Sequence, residues 1–177
     1  MLNFHYPTLS QKFAERALTV ILLGLGLGPM TIGSAAASSV IENDLSRCNS
    51  GDITAVLVTV QGIRTATGLI RVQSYPATEA AWLEKGQWLN RIEQRAKIGD
   101  MQFCLPVPKS GNYAIAVRHD KNNNGKTDIS GDGGGFSQNP KISAFRAILG
   151  KSVVPVKKAS FFAGSGVTRI NILMRYR

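Results

Sequence analysis

From Ile53 onward the chain alternates short apolar runs with polar punctuation. "ITAVLVTVQGI", "GLIRVQSY", "MQFCLPV", "NYAIAVRH", "SAFRAILG", "KSVVPV" and "VTRINILMRYR" are separated by glycine, proline and asparagine. Runs of this length, rich in valine, isoleucine and aromatic residues and bounded by turn formers, predict strands. The last run is the most regular. Ile170, Ile172, Met174 and Tyr176 fall on one side of an extended chain and Arg169, Asn171, Arg175 and Arg177 on the other, with Leu173 the exception. Successive strand side chains point to opposite faces, so this is a strand with one face buried. About seven such strands predict an all-β fold, an antiparallel β-sandwich of two packed sheets.

Residues 77–99, "ATEAAWLEKGQWLNRIEQRAKIG", interrupt the pattern. Ala80, Ala81, Leu83 and Glu84 favour helix and Gly86 ends it, which predicts a short helical turn at about 79–85 and then a connection. Trp82, Leu83, Trp88 and Leu89 are expected to cap the open end of the sandwich rather than face a ligand. A large ring removed from water stabilises by roughly 2–3 kcal/mol wherever it packs. "SGDGGG", residues 130–135, reads as a flexible or unusually shaped loop whose glycines permit positive φ. It lacks the Lys-Ser or Lys-Thr of a phosphate-binding loop.

The first 37 residues follow different rules. Lys12 and Arg16 precede an uncharged stretch from Ala17 to Gly33, and small residues follow. This is the layout of a secretory signal peptide, with Ala35-Ala36-Ala37 as the cleavage pattern and Ser38 the first mature residue. Glycines and Pro29 break the stretch below the ~20 continuous apolar residues of a spanning helix. The expectation is therefore a single exported domain over residues 38–177, periplasmic or secreted, with no stable membrane span after cleavage. Loss of Lys12, Arg16 and Glu15 lowers the formal charge of +10 by only one. An exported basic domain meets anionic envelope glycan or lipopolysaccharide sooner than nucleic acid. Arg169, Arg175 and Arg177, on one strand face, are the candidate contact. The two cysteines, Cys48 and Cys104, lie in the exported part and are expected to form a structural disulfide.

One stretch carries recognisable chemistry: "HDKNNNGKTD", residues 119–128. Asp120, Asn122 and Asn124 occupy positions one, three and five of a loop, Gly125 position six and Asp128 position nine, as in the first part of an EF-hand calcium loop. Calcium takes six to eight hard oxygen ligands. The acid of position twelve is replaced by Gly131, and Asp132 stands one residue beyond. Equally, asparagine and aspartate bond their own backbone in tight turns, and Asn-Gly is a hairpin signal. A calcium site and a plain turn both fit. His119 is the only histidine after the leader and reads as structural, since one histidine builds no zinc cluster and no nucleophile is placed beside it.

The block "SGNYAIAVRHDKNNNGKTD", with "GGGFSQNP" and the closing alternating strand, resembles the DUF2141 family of exported bacterial proteins of unknown function. The likeness marks Gly111, Tyr113, Ala114, His119, Asp120, Asn122, Asn124, Gly125, Asp128, Gly135, Phe136, Ser137, Asn139 and Pro140, and implies no catalytic residue. It departs at "DISGDGGG", where relatives carry a Gly-x-Pro-x-Glu-Gly run. "PKSGNYAIAV" also resembles the turn and strand of transthyretin-like and carboxypeptidase-regulatory sandwiches, which agrees with the fold read from alternation. Tyr113, two residues after Gly111, is placed to anchor a corner through its hydroxyl. The expected function is a non-enzymatic binding or structural module of the cell envelope; a calcium-dependent structural or adhesion module and, less favoured, a hydrolase using the Asp-rich loop are the alternatives.

Overall fold

The computed structural model describes residues 38–128, 131–141 and 154–176. The leader, the run "SAFRAILG", the first half of "KSVVPV" and Arg177 lie outside the described residues. The structure is a β-sandwich. Its larger sheet runs β1 (Ser39–Val40), β4 (Asn90–Arg95), β3 (Leu69–Pro76), β6 (Gly111–Asp120), β7 (Gly133–Phe136) and β10 (Arg175–Tyr176), with β8 (Phe161–Ala163) beside the start of β6. The smaller runs β5 (Gly99–Pro106), β2 (Ala55–Ile63) and β9 (Val167–Leu173). Pairing is antiparallel except for β1 with β4 and β2 with β9, which are parallel.

The core lies between the sheets. Val56, Val58, Val60, Phe103, Leu105 and Ile172 enter it from the smaller sheet and Ile70, Val72, Ile92, Ile115 and Val117 from the larger. Each side chain so buried stabilises by roughly 1.5–3 kcal/mol. In β2 the inward series skips from Val60 to Ile63, because a bulge at Gly62 (φ 76°) inserts a residue into the pairing with β5. Within the bulge the Gln61 carbonyl accepts the Met174 amide at 2.8 Å. At Met174 the C-terminal strand leaves the smaller sheet as β9 and enters the larger as β10. The alternation read for this strand holds across that crossing: Ile170, Ile172, Met174 and Tyr176 pack on the core, while Arg169, Asn171, Leu173 and Arg175 are exposed.

Both outer edges of the smaller sheet are closed by asparagine side chains. Asn43 donates Nδ2 to the Gln102 carbonyl at 2.8 Å and accepts the Cys104 amide on Oδ1 at 3.1 Å, along β5. Asn139 does the same on β9, donating to the Asn171 carbonyl at 2.9 Å and accepting the Leu173 amide at 2.8 Å. Each amide imitates one residue of a neighbouring strand where pairing with another chain would otherwise begin.

Three expectations need correction. Residues 90–95 are a strand, β4, not a connection: Ile92 is its one apolar core residue, and the charged outward positions Arg91, Glu93 and Arg95 mask the period of two. Gly133–Phe136 is a strand, not a loop, and Gly133 and Gly135 serve close approach rather than positive φ. A Cβ on Gly133 would lie 2.4 Å from the Tyr176 ring, and one on Gly135 2.7 Å from Ile172 Cγ2. The described end of "KSVVPV" is a 3-10 turn, Val156–Lys158. The helical turn after β3 is present in its shortest form: Trp82 donates its amide to the Thr78 carbonyl at 3.0 Å, and Leu83 ends the turn at φ 59°.

Cys48, in the short helix Ser46–Asn49, is disulfide-bonded to Cys104 of β5, pinning the N-terminal segment to the outside of the smaller sheet. The bridge spans 56 residues, for which chain entropy allows a stabilisation of up to about 4 kcal/mol. Reduction is expected to lower the unfolding free energy by about 2–4 kcal/mol, seen as a lower urea midpoint, and a Cys48→Ala/Cys104→Ala protein should match the reduced one. An unchanged midpoint would mean that the Asn43 contacts alone hold the segment.

Candidate functional site

The loop from β6 to β7 is organised by its acids. Asp120, the last residue of β6, is 2% exposed. Its Oδ1 accepts the Asn124 amide at 3.2 Å, and its Oδ2 accepts the Gly125 amide at 2.9 Å and Arg118 Nη2 at 3.1 Å. The chain can fold back onto this carboxylate because Asn123 (φ 56°) and Gly125 (φ 74°) adopt the left-handed conformation, which glycine takes freely and asparagine tolerates. Asn122 and Asn124 each accept a backbone amide two residues on, from Asn124 at 3.2 Å and Lys126 at 2.8 Å. Their Nδ2 atoms converge on one oxygen, Asp128 Oδ2, at 2.6 and 2.8 Å. The four residues singled out for calcium are thus gathered in one loop. Among the described residues no three His, Cys, Asp or Glu side chains form a metal-holding group.

Asp132 has a larger part than its sequence position suggested. It is 3% exposed, and its two oxygens accept the Lys121 amide at 3.1 Å and the Asp128 amide at 3.0 Å, tying both limbs of the loop to the start of β7. The loop also rests on its neighbour. Gly68 (φ 73°) lies so close to the Asp120 carbonyl that a Cβ there would come within 1.9 Å of its oxygen.

His119 is fully buried on the opposite side of β6. Nε2 faces the Thr67 carbonyl at 2.7 Å, so Nε2 carries the proton, and in the neutral ring Nδ1 accepts the Tyr176 hydroxyl at 2.8 Å. Burial raises the Tyr176 pKa above its ordinary value, which favours the protonated hydroxyl that this bond needs. Both ring nitrogens are therefore committed to joining β6, β10 and the turn before β3.

The other marked residues build the joint. Tyr113 donates its hydroxyl to the Lys109 carbonyl at 2.7 Å, the corner expected of it. Ser137, wholly buried, accepts the Ile115 amide on Oγ at 2.9 Å and donates to the Ala159 carbonyl. Phe136 stacks edge-on against Trp82 at 5.8 Å, and Trp82 against Tyr75 at 5.3 Å, in a second apolar cluster on the outer face of the larger sheet. Trp82 also donates Nε1 to the Val154 carbonyl at 2.7 Å. Trp82 and Trp88 thus pack on the outer face of the larger sheet rather than at the open end of the sandwich, Leu89 packs against the main core, and Leu83 is exposed. Burial pushes the Tyr75 hydroxyl up to about 12.

The candidate anionic-ligand residues separate. Arg169 is on β9, in register with Leu57 of the smaller sheet; Arg175 is on β10 of the larger, in register with Gly134 and, through it, with Arg118. Arg177 lies outside the described residues. Sequence alone could not foresee Asp132 as the loop's anchor, because nothing in "SGDGGG" says that β7 begins beside it.

These features define a disulfide-pinned β-sandwich whose central hairpin carries a compact acid-and-amide loop. The model of the family described as "Uncharacterized protein conserved in bacteria (DUF2141)" matches residues 58–170, and the chain belongs to that family. No curated protein and no solved structure matches it.

Asp132→Ala is expected to destabilise the protein by about 3 kcal/mol, since two part-buried amides lose a buried carboxylate acceptor, whereas Asp128→Ala, whose side chain bonds only two exposed asparagine amides, should cost about 1 kcal/mol or less. Urea unfolding of both variants checks the order; equal losses would show that Asp132 is not the anchor.

Proposed function

We propose that the protein is an exported, non-enzymatic module that binds or braces the bacterial cell envelope through anionic glycan or lipopolysaccharide. The observation that carries this reading is the cationic surplus on exposed strand positions. The chain has a net charge of +10, and Arg169 and Arg175 are exposed and make no ion pair among the described residues. Contacts of this kind are long-ranged and screened by salt. Binding to lipopolysaccharide-bearing vesicles is therefore expected to weaken steeply between low and physiological salt, and to fall several-fold further in Arg169→Glu/Arg175→Glu. Salt-independent partitioning, or full binding by the double variant, would sink the proposal.

A second reading, a calcium-stabilised structural or adhesion module, rests on the spacing of Asp120, Asn122, Asn124 and Asp128 and on Gly125 in the left-handed conformation at position six; the two asparagines turn Nδ2 rather than Oδ1 toward Asp128, so a bound ion requires both amides to rotate. With two charged ligands in the loop, affinity falls in the weak extracellular range of about 10⁻⁴ to 10⁻³ M. Calorimetric titration of calcium should give saturable heat that Asp128→Ala abolishes and magnesium does not reproduce. A flat titration with an unchanged melting temperature at millimolar calcium would leave the loop a structural turn.

A further inference from the structure

Three arginines from three strands stand together on the outer face of the larger sheet. Arg71 on β3 is in register with Glu93 of β4 and with Arg118 of β6; Gln73, next on the same face of β3, is in register with Arg91 of β4 and Ala116 of β6. Residues directly opposite in a sheet project to the same side, so the three guanidinium groups share it. They are not free surface cations, because the Arg71, Arg91 and Arg118 side chains are only 18, 19 and 16% exposed.

The acids supplied to them are too few. One oxygen of Glu93 serves both Arg71 Nε at 2.7 Å and Arg91 Nη1 at 3.7 Å. Asp120 receives Arg118 but divides its carboxylate with two backbone amides, and Asp132 has both oxygens on backbone amides. Burial, and then the charge of Arg71, lower the pKa of both Arg91 and Arg118. The buried side-chain polar atoms without a hydrogen-bond partner among the described residues are Trp88 Nε1, Arg91 Nε and Arg118 Nε. All three are donors. All belong to this face, with the Arg91 guanidinium 3.8 Å above the Trp88 ring. An unpaired buried donor is costly, more so when it is charged. Ala116, beside Gln73, and Gly134, on the far side of Arg118 from Arg71, are small residues bordering the cluster.

We propose that Arg71, Arg91, Arg118 and the Trp88 indole N–H form a binding site for a phosphoryl group. Glu93 already supplies a planar carboxylate to two of the arginines; the remaining donors come from β4, β6 and the connection before β4 and suit a tetrahedral oxyanion with acceptors on several sides. Arginine forks match phosphate oxygens better than a point charge does. The phosphoryl group is either free phosphate or the phosphate of an envelope glycolipid, and only the second source rests on the envelope reading above.

Titration of inorganic phosphate into the oxidised protein at constant ionic strength, followed by the fluorescence of Trp82 and Trp88, tests the site. Saturable binding is expected, at least tenfold weaker in Arg91→Gln and in Arg118→Gln, several-fold weaker in Trp88→Phe, and unchanged in Arg47→Gln, an exposed position on the short N-terminal helix. Arg91→Lys, which keeps the charge and loses the fork, should fall between, and with Trp88→Phe it carries the test if the glutamine variants do not fold. A response that chloride reproduces, or wild-type binding by the Arg91 variants, would overturn the site; equal binding of acetate would overturn its phosphoryl assignment. Phosphatidylcholine vesicles bearing intact or dephosphorylated lipopolysaccharide separate the two sources. Phosphate binding without vesicle binding keeps the site and removes the envelope reading, whereas vesicle binding indifferent to Arg91→Gln and to dephosphorylation, with no binding of inorganic phosphate, does the reverse.

Discussion

The strand from Val167 to Tyr176 pairs with β2 in one sheet and with β7 in the other, and its passage at Met174 fixes how the two layers meet. Parallel pairing of β2 with β9 places Ile170 and Ile172 over the core; the Gly62 bulge then releases β2 so that the Gln61 carbonyl can take the Met174 amide. Past that point the strand needs room. Gly133 and Gly135 leave it, since a methyl group at either would run into Tyr176 or Ile172. Tyr176, once seated, meets His119, and His119 reaches the Thr67 carbonyl. A crossing strand therefore sets the buried histidine, and through the turn at Gly68 the seat of the Asp120 loop.

Residues marked by the family resemblance turn out to serve this joint more than any exposed surface. Ser137 ties β6 to the turn after Val156, Asn139 closes the edge of β9, and Tyr113 locks the corner before β6. Asn43 closes the other edge of the smaller sheet in the same way. With both edges occupied by side-chain amides, addition of a partner's strand to that sheet is disfavoured. Recognition is then left to side chains on sheet faces and to the loop, where the charged groups are.

The sandwich was legible wherever burial was one-sided, because alternation is the direct imprint of a sheet with one wet face. The C-terminal strand was read residue by residue, and the cysteine pair from compartment alone. What escaped was written in contacts between distant segments. Ile92 is a lone apolar residue among charges, so β4 announced nothing; its register with β3 shows it. Three glycines in succession carry no side-chain period, so β7 read as a loop. Their reason lies in Tyr176 and Ile172, about 40 residues further along. The arginines of β3, β4 and β6 are each unremarkable in sequence, and only strand register brings them together.

Arg118 belongs to both charged regions, which makes the loop and the arginine cluster interdependent. Its Nη2 is held by Asp120 and its Nη1 by Thr127, so the loop fixes one end of the guanidinium while Arg71 crowds the other. A cation that drew on the Asp120 carboxylate would weaken its hold on Arg118 and leave that charge free to take up an anion. An anion beside Arg118 would in turn release part of Asp120 for a cation. Linkage requires the two effects to be equal in size, whichever ligand arrives first. If both proposed ligands bind, the 3.1 Å contact between Arg118 and Asp120 couples them, and their opposite charges favour each other's binding.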